Sequence, residues 1–211
     1  MLKGIEIIKP QDIEKRSFEI ISQLLGEKCF PPFHESIIKR VIHTTADFDF
    51  ADSIKISEDA VTKAFEAIKS SAGLVTDTKM AAAGINKKGF LKHGGSIACY
   101  IDDEDVAQAA LERNITRSAV CMEKAVKDPN NRIFAIGNAP TALIRLVELI
   151  NEGAVSPALV IGVPVGFVNV VESKELLKAA GVPYIVSEGR KGGSNIAAAI
   201  VNALVRMIGE T

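Results

Sequence analysis

The stretch RIFAIGNAPTALIRLVELINEGAVSPALVIGV, residues 132–163, predicts a strand, a helix and a second strand in quick succession. RIFAIG (132–137) and ALVIGV (158–163) are continuous apolar runs, which are typical of strands buried on both faces of a parallel sheet. The segment from about Pro140 to Asn151 is predicted as the connecting helix, with proline in its first turn. Strand–helix alternation with short connections favours a right-handed, doubly wound α/β fold.

The same alternation continues on both sides of this stretch. Three more apolar runs are predicted as strands: GLVTD (73–77), SIACY (96–100) and YIVS (184–187). Five parallel strands favour the flavodoxin-like spatial order 2-1-3-4-5 within a three-layer domain. Ser57 is predicted to cap a helix that runs to about Lys69.

Residues 1–52 differ in pattern from residues 53–211 and are predicted to form an N-terminal helical segment in front of the α/β core. Two helices are predicted there, one ended by Gly26 and one from about His34 to Thr44. No linker composition divides the two parts. We therefore expect a single domain over residues 1–211.

Composition excludes several classes of function. The chain has 211 residues and a net charge of −1, so no global field attracts nucleic acid or an anionic membrane. It lacks an apolar run of about 18 residues, the length needed to span a bilayer, and its first residues are not expected to be a signal peptide. Cys29, Cys99 and Cys121 have no CxxC or metal-ligand spacing, which favours reduced thiols in a cytoplasmic protein without a structural zinc site.

Two loops at predicted strand ends have the chemistry of anion sites. Ligands of doubly wound sheets bind beyond the carboxyl ends of the strands. GRKGGSN (189–195) has three glycines and the basic pair Arg190 and Lys191 directly before a helix start, which favours an anion site over the alternative of a flexible Gly-rich turn. In GNAPT (137–141), Asn138 could cap a helix or bind a ligand. Neither a Walker A loop nor a GxGxxG fingerprint is present.

The segment IHTTADFDF (42–50) contains one histidine among hydroxyl and carboxyl groups. Histidine exchanges a proton near neutral pH, so His43 is a candidate general acid or base. A lone histidine beside an apolar face is more often structural, and this alternative stays open on the residues alone. Asp47 and Asp49 are predicted to cap a helix or to orient His43.

Taken together, seven segments in chain order resemble the precorrin-8X / cobalt-precorrin-8 methylmutase family. These segments are RSFEII (16–21), RVIHTTADFDF (40–50), TDTKMAAAGI (76–85), TRSA (116–119), AIGNAPTAL (135–143), GVPVGFVNVVESKE (162–175) and GRKGGSNIAAAIVNAL (189–204). The second and sixth are the most distinctive, and the resemblance covers most of the chain. Residues 51–72 are less informative.

The resemblance implies an isomerase of cobalamin (vitamin B12) biosynthesis that works without a cofactor. The reaction moves a methyl group from C-11 to C-12 of the corrin macrocycle by a [1,5]-sigmatropic shift. The product is hydrogenobyrinic acid, or cobyrinic acid when cobalt is already in the ring, so any cobalt belongs to the substrate and no metal site is predicted in the protein. We favour the cobalt form. The resemblance also implies a flavodoxin-like domain and a homodimer with active sites near the interface.

The resemblance implies that His43 is the general acid, and protonation of the conjugated ring would draw electron density from the carbon that accepts the methyl group. The substrate carries many carboxylates, so a near-neutral protein needs local donors to bind it. The predicted substrate-binding residues are Arg16, Ser17, Thr44, Thr45, Lys79, Arg117, Asn138, Arg190, Lys191, Gly192 and Gly193. The helix starts after Gly137 and Gly193 are expected to contribute backbone donors.

Two other classes remain compatible with the same scaffold. A corrinoid or tetrapyrrole carrier would bind the macrocycle without converting it, and its binding would not depend on His43. A flavodoxin-like flavin or nucleotide protein is the third possibility, which the missing fingerprint disfavours.

Overall fold

The computed structural model describes residues 6–210, which form one six-stranded sheet covered by helices on both faces. The strands are β1 (Ile54–Ile56), β2 (Gly73–Thr76), β3 (Ile97–Ala98), β4 (Asn131–Ile136), β5 (Leu159–Gly162) and β6 (Tyr184–Ser187). They lie in the order β1-β6-β5-β4-β2-β3. Strands β2 to β6 pair in parallel, whereas β1 pairs antiparallel with β6.

The predicted count of five strands was wrong, because the sheet has a sixth, β1, at its edge. The sequence of β1 is only IKI, and Ile54 is its one fully buried residue, so the strand is too short to show a pattern. Ser57 does not cap a helix, since the following helix begins at Ala60. Its hydroxyl instead accepts the N–H of Tyr184 at 2.9 Å, which extends the pairing of β1 with β6.

Eleven α-helices surround the sheet within residues 6–210. They are α1 (Ile13–Leu25), α2 (His34–Thr45), α3 (Phe50–Ser53), α4 (Ala60–Lys69), α5 (Lys79–Gly84), α6 (Lys87–Leu91), α7 (Glu104–Arg113), α8 (Arg117–Ala125), α9 (Pro140–Asn151), α10 (Val170–Ala179) and α11 (Ser194–Glu210). The predicted stop of the first helix at Gly26 and the start of the second at His34 are confirmed. None of these helices is both long and apolar enough to cross a bilayer.

Two apolar clusters lie on opposite faces of the sheet, which explains the continuous apolar runs of its strands. Leu74 and Ile133 belong to the cluster that includes α2, α4 and α11. Their chain neighbours Val75 and Phe134 belong to the cluster that includes α8 and α9. Successive strand residues point to opposite faces, so both faces must be apolar when both are covered.

Helix α2 packs against α11, and this contact fixes the N-terminal segment to the α/β core. Ile37, Ile38, Val41 and Ile42 of α2 are at most 3% exposed. Each contributes about 1.5–3 kcal/mol by leaving water. Asp47, just after α2, pairs with Lys191, just before α11, so the end of α2 lies near the start of α11.

Candidate active site at the carboxyl edge of the sheet

The loops that follow β4, β5 and β6 pack directly on one another at the carboxyl edge of the sheet. A Cβ atom on Gly137 would lie 2.7 Å from Cα of Ser194, at the start of α11. A Cβ atom on Gly192 would lie 2.2 Å from the carbonyl oxygen of Val163, after β5. Only glycine permits such close approach, so these residues bring three loops into one surface.

The carbonyl groups of the loop after β6 accept hydrogen bonds from within the protein. The carbonyls of Gly189 and Lys191 accept from Nζ of Lys174, at 2.8 and 2.9 Å, and that of Arg190 accepts from the N–H of Gly166 at 3.3 Å. Within residues 6–210, the N–H groups of residues 190–192 have no acceptor, and the exposed Arg190 side chain has no ion pair. This arrangement can bind an anion.

Lys191 connects this loop to the segment that follows α2. Its Nζ lies 2.6 Å from Oδ2 of Asp47 and 2.6 Å from Oδ2 of Asp49. The Lys191 ammonium lowers the pKa of Asp47, and the two carboxylates raise the pKa of Lys191. Asp47 and Asp49 thus bind Lys191 rather than His43, and neither Asp47 nor Asp49 caps a helix with its side chain.

His43 lies on the last turn of α2, exposed and stacked on one aromatic ring. Its ring centroid is 5.2 Å from that of Phe18 on α1, and the two planes are inclined by 12°. The guanidinium of Arg40 lies 4.7 Å from the centroid of Phe18. The imidazole has no hydrogen-bond partner within residues 6–210, so both ring nitrogens are available to a ligand.

Three hydroxyls predicted to bind substrate donate their protons to their own helices. Thr44 donates to the carbonyl of Arg40 at 3.0 Å, Thr45 to that of Val41 at 2.8 Å, and Ser17 to that of Ile13 at 2.9 Å. A hydroxyl has one proton, and a carboxylate ligand needs a donor. In this conformation these three groups can only accept hydrogen bonds from a ligand.

Two predicted cationic contacts are already paired with exposed acids. Nε of Arg16 lies 3.0 Å from Glu6, which raises the pKa of Arg16, and its second partner is Glu19 at 3.4 Å. Lys79, the first residue of α5, lies 3.6 Å from Asp102. Exposed pairs of this kind are weak, so a substrate carboxylate can replace the protein acid.

A hydrogen bond between two threonines joins the starts of α8 and α9, near Arg117 and Asn138 in sequence. Thr116 caps α8 and donates to the hydroxyl of Thr141 at 2.8 Å, in the first turn of α9. Arg117 follows Thr116 and is exposed without an ion pair in the described part of the chain. The side chain of Asn138 is also exposed, just before α9.

Two buried charged residues at this edge were missed by the sequence analysis. Asp77, 1% exposed, accepts N–H groups from Gly137 at 2.9 Å and from Asn138 and Ala139 at 2.8 Å each. The expectation that the helix start after Gly137 offers free backbone donors to a substrate was therefore wrong, since Asp77 occupies them. Burial raises the pKa of Asp77, and the three donors oppose that effect. The other residue is Lys174. Asp77 directly follows the apolar run of β2, whereas Lys174 lies among polar residues in VVESKE, so the sequence carried no signal of its burial.

The cavities identified between the helices do not include the central residues of the carboxyl edge. Five cavities of about 340 to 560 Å³ lie between helices, and neither His43 nor the loop of residues 189–193 lines any of them. Arg117 lines one of these cavities, between α7 and α8. The predicted groups are linked by the pairing of Lys191 with Asp47 and Asp49, which joins the loop of residues 189–193 to the segment after His43.

The fold and the site define an α/β protein that presents one exposed histidine and a set of donors for anions at the end of a parallel sheet. The family model described as Precorrin-8X methylmutase matches residues 12–207. The chain therefore belongs to the precorrin-8X methylmutase family.

Individual relatives cover nearly the whole chain. It is 47% identical to a cobalt-precorrin-8 methylmutase of Priestia megaterium, over 93% of this chain and 88% of the relative. It is also 47% identical to a cobalt-precorrin-8 methylmutase of Salmonella typhimurium, over 94% of this chain and 96% of the relative. The crystal structure of precorrin-8x methyl mutase from Thermus thermophilus superposes with a TM-score of 0.86 at 38% identity, covering 94% of this chain and 98% of that one.

Proposed function

We propose that this chain is an isomerase of cobalamin biosynthesis that moves a methyl group from C-11 to C-12 of precorrin-8 or its cobalt form. The product is then hydrogenobyrinic or cobyrinic acid. The observation that carries the proposal is the 47% identity with two cobalt-precorrin-8 methylmutases over more than nine-tenths of the chain. The donor-rich edge with an exposed histidine suits a polycarboxylate.

In the proposed mechanism His43 is the general acid. Its imidazolium donates a proton to the conjugated macrocycle, the methyl group migrates within the same molecule, and the proton then returns to the imidazole. No atom is gained or lost overall, so the residues of this chain need only hold the ring and move one proton. General acid catalysis of this kind contributes about 10²- to 10⁴-fold. The free imidazole and its stacking on Phe18 support this role.

We propose that the loop of residues 189–193 is the principal carboxylate site. The N–H groups of residues 190–192, which have no acceptor within residues 6–210, and the unpaired Arg190 support this assignment. Gly192 supports it through its close packing on the Val163 and Pro164 carbonyls, whereas the buried Gly193 donates its N–H to Val163 at 2.9 Å and is left out of the proposed contacts. Arg117 and Asn138 would bind a second carboxylate. Residues Arg16, Lys79 and Lys191 would join after exchanging their acidic partners, and Ser17, Thr44 and Thr45 would contribute as acceptors.

We favour the cobalt-containing substrate, because the two relatives at 47% identity have that name whereas the Thermus protein at 38% does not. No cofactor is proposed, and cobalt would enter only with the substrate. We also propose that the protein is cytoplasmic. We propose further that it is a homodimer with the site near the interface between the two subunits. The support for the homodimer is the exposed apolar residues Ile13 and Leu24 on α1, which are 52% and 65% exposed.

We also propose that the parallel part of the sheet is a flavodoxin-like core. The support is the strand order β3-β2-β4-β5-β6, which is 2-1-3-4-5 when only parallel strands are counted. Strand β1 is then an addition at the edge that carries the N-terminal helices.

The decisive experiment is a turnover assay followed by absorbance. Wild type, His43→Ala and the control His34→Gln are each mixed with precorrin-8 and with cobalt-precorrin-8, and the spectrum of the corrin product is recorded. We expect conversion by wild type and by the control, which alters a histidine at the opposite end of the same helix. We expect His43→Ala to bind the substrate without converting it. Binding without conversion by wild type would indicate a carrier, and absence of binding would refute the corrinoid function.

A further inference from the structure

Lys174 is a charged side chain buried under the proposed carboxylate site. It lies on α10 and is 1% exposed, and no carboxylate within residues 6–210 forms an ion pair with it. Its three ammonium protons have three acceptors: the carbonyls of Gly189 and Lys191, at 2.8 and 2.9 Å, and the hydroxyl of Ser187 at 3.3 Å. A buried ammonium without a counter-ion costs free energy, and these three hydrogen bonds offset part of that cost.

These hydrogen bonds decide which way the backbone of the loop faces. The carbonyls of Gly189 and Lys191 point to Lys174, and that of Lys191 also accepts the Ser187 hydroxyl at 2.8 Å. A carbonyl oxygen that faced outward would repel a substrate carboxylate. With the carbonyls of Gly189 and Lys191 bonded to Lys174, the groups of the loop without a partner within residues 6–210 are the N–H groups of residues 190–192 and the side chain of Arg190.

We propose that Lys174 is a positioning residue for substrate binding, whose ammonium turns the carbonyls of the Gly189–Lys191 loop away from the substrate. This inference rests on the proposed function of the loop as a carboxylate site. Lys174 contacts no substrate itself, and the charge that it carries lies beneath the loop. Burial lowers the pKa of Lys174 to about 8, so the group is still charged at pH 7.

The test compares three variants by steady-state kinetics with cobalt-precorrin-8. Lys174→Met removes the charge and all three donors, whereas Lys174→Gln removes the charge and keeps two donors. Lys178→Met is the control, because it removes one ammonium from the same helix one turn further on, where Lys178 pairs with Glu175 and Glu188.

We expect Lys174→Met to raise KM about tenfold with kcat within twofold, as a loss of uniform binding does. Lys174→Gln should raise KM less than about threefold, and the control should match wild type. A merely structural role would lower the active fraction, and therefore apparent kcat, without changing KM. Equal KM values for Lys174→Met and Lys174→Gln would show that charge alone matters and would overturn positioning.

A second readout needs no substrate. Trypsin cleaves after Arg190 and Lys191 when the loop opens, and the fragments are identified by mass. We expect Lys174→Met to be cut there about tenfold faster than wild type and Lys178→Met, because local opening exposes the loop. Equal rates would contradict the inference. If wild type fails to convert the substrate, the proposed function is wrong, while this readout still decides whether Lys174 holds the loop.

If Lys174→Met does not fold, Ser187→Ala provides an alternative test of the same proposal. It removes one acceptor of Lys174 and one donor to the Lys191 carbonyl. We expect KM to rise about threefold with kcat unchanged. An unchanged KM together with wild-type trypsin resistance would refute the proposal.

Discussion

Asp77 holds the loop after β4 from within the protein. Its Oδ2 accepts two N–H groups and its Oδ1 accepts one, so Asp77→Asn must place an amide NH₂ against at least one donor. A buried donor without an acceptor costs about 1–3 kcal/mol, and more beside a lost charge. We expect the free energy of unfolding to fall by about 3 kcal/mol in urea titrations. Asp102→Asn, at an exposed acid, should change it by less than about 0.5 kcal/mol, and equal effects would contradict the argument.

The lowered pKa of Lys174 predicts a specific dependence of stability on pH. Burial lowers this pKa from 10.5 to about 8, so between these values the unfolded chain keeps a proton that the folded chain has released. The free energy of unfolding therefore rises as the pH rises from about 8 to 10.5. Below pH 8 both states are protonated, so the penalty for the buried charge is constant. Relative to Lys174→Met, wild type should gain about 3 kcal/mol between pH 7 and pH 10.5. Urea titrations of both proteins measure the difference, and a difference that does not change with pH would refute the prediction.

Phe18 restrains the plane of the His43 imidazole through stacking. Aromatic pairs contribute about 0.5–1.5 kcal/mol beyond area burial, which corresponds to roughly a twofold to tenfold change in rate if the whole effect falls on imidazole orientation. Phe18→Leu should therefore lower kcat by up to about tenfold without changing KM. Phe65→Leu, which breaks the pair of Phe65 with Phe33 elsewhere, should leave kcat unchanged. A fall in kcat of equal size in both variants would indicate general destabilisation.

At the level of residues, the sequence identified candidate site residues but not the residues with which they form ion pairs and hydrogen bonds. The motifs marked His43, Arg190 and Lys191, but not that Lys191 pairs with Asp47 and Asp49, because those residues are more than 140 positions away. The same holds for Asp77, which lies 60 positions before the first N–H that it accepts. Contacts between distant segments depend on sheet order and on how the helices pack, and local spacing does not contain that information.

At the scale of the elements, the position of the loop after β6 depends on the close packing of its Gly192 against the loop after β5. A Cβ on Gly192 would lie 2.2 and 2.4 Å from the carbonyl oxygens of Val163 and Pro164, so Gly192→Ala must displace backbone. Gly189 in the same loop has a φ of +75° but nothing within 4 Å, so Gly189→Ala meets only conformational strain. We expect losses of about 3 kcal/mol for Gly192→Ala and about 1 kcal/mol for Gly189→Ala, measured by urea titration. A larger loss for Gly189→Ala would contradict the packing described here.

Strands that are buried on both faces were predicted correctly, because their sequences are uninterrupted apolar runs. Strands β4, β5 and β6 were recognised within one residue at each end, because a parallel strand covered by helices is apolar throughout. SIACY was too long a prediction, since only Ile97–Ala98 pair with β2. Strand β1 was not predicted, because an edge strand of three residues is too short to show a periodic pattern.

At the scale of the whole molecule, the N-terminal helices and the α/β core share one apolar cluster. That cluster joins Ile21 of α1 and Ile38 of α2 to Leu74 of the sheet and Ile200 of α11. The four buried residues of α2 alone contribute about 6–12 kcal/mol, which is comparable to the total stability of a typical domain, about 5–15 kcal/mol. The core of residues 54–210 should therefore not be stable without the segment before it.

This shared cluster predicts one cooperative unfolding transition. Calorimetry should give equal calorimetric and van't Hoff enthalpies at several protein concentrations, because neither part can unfold and leave the other buried. A fragment that begins at Ile54 should be unfolded or aggregated by circular dichroism, since it exposes the face of α11 that α2 covers and loses Ser53, whose carbonyl accepts the N–H of Glu188 at 2.8 Å. Two separate transitions, or a folded fragment, would show that the helical segment is an independent unit and that the contact of α2 with α11 contributes little.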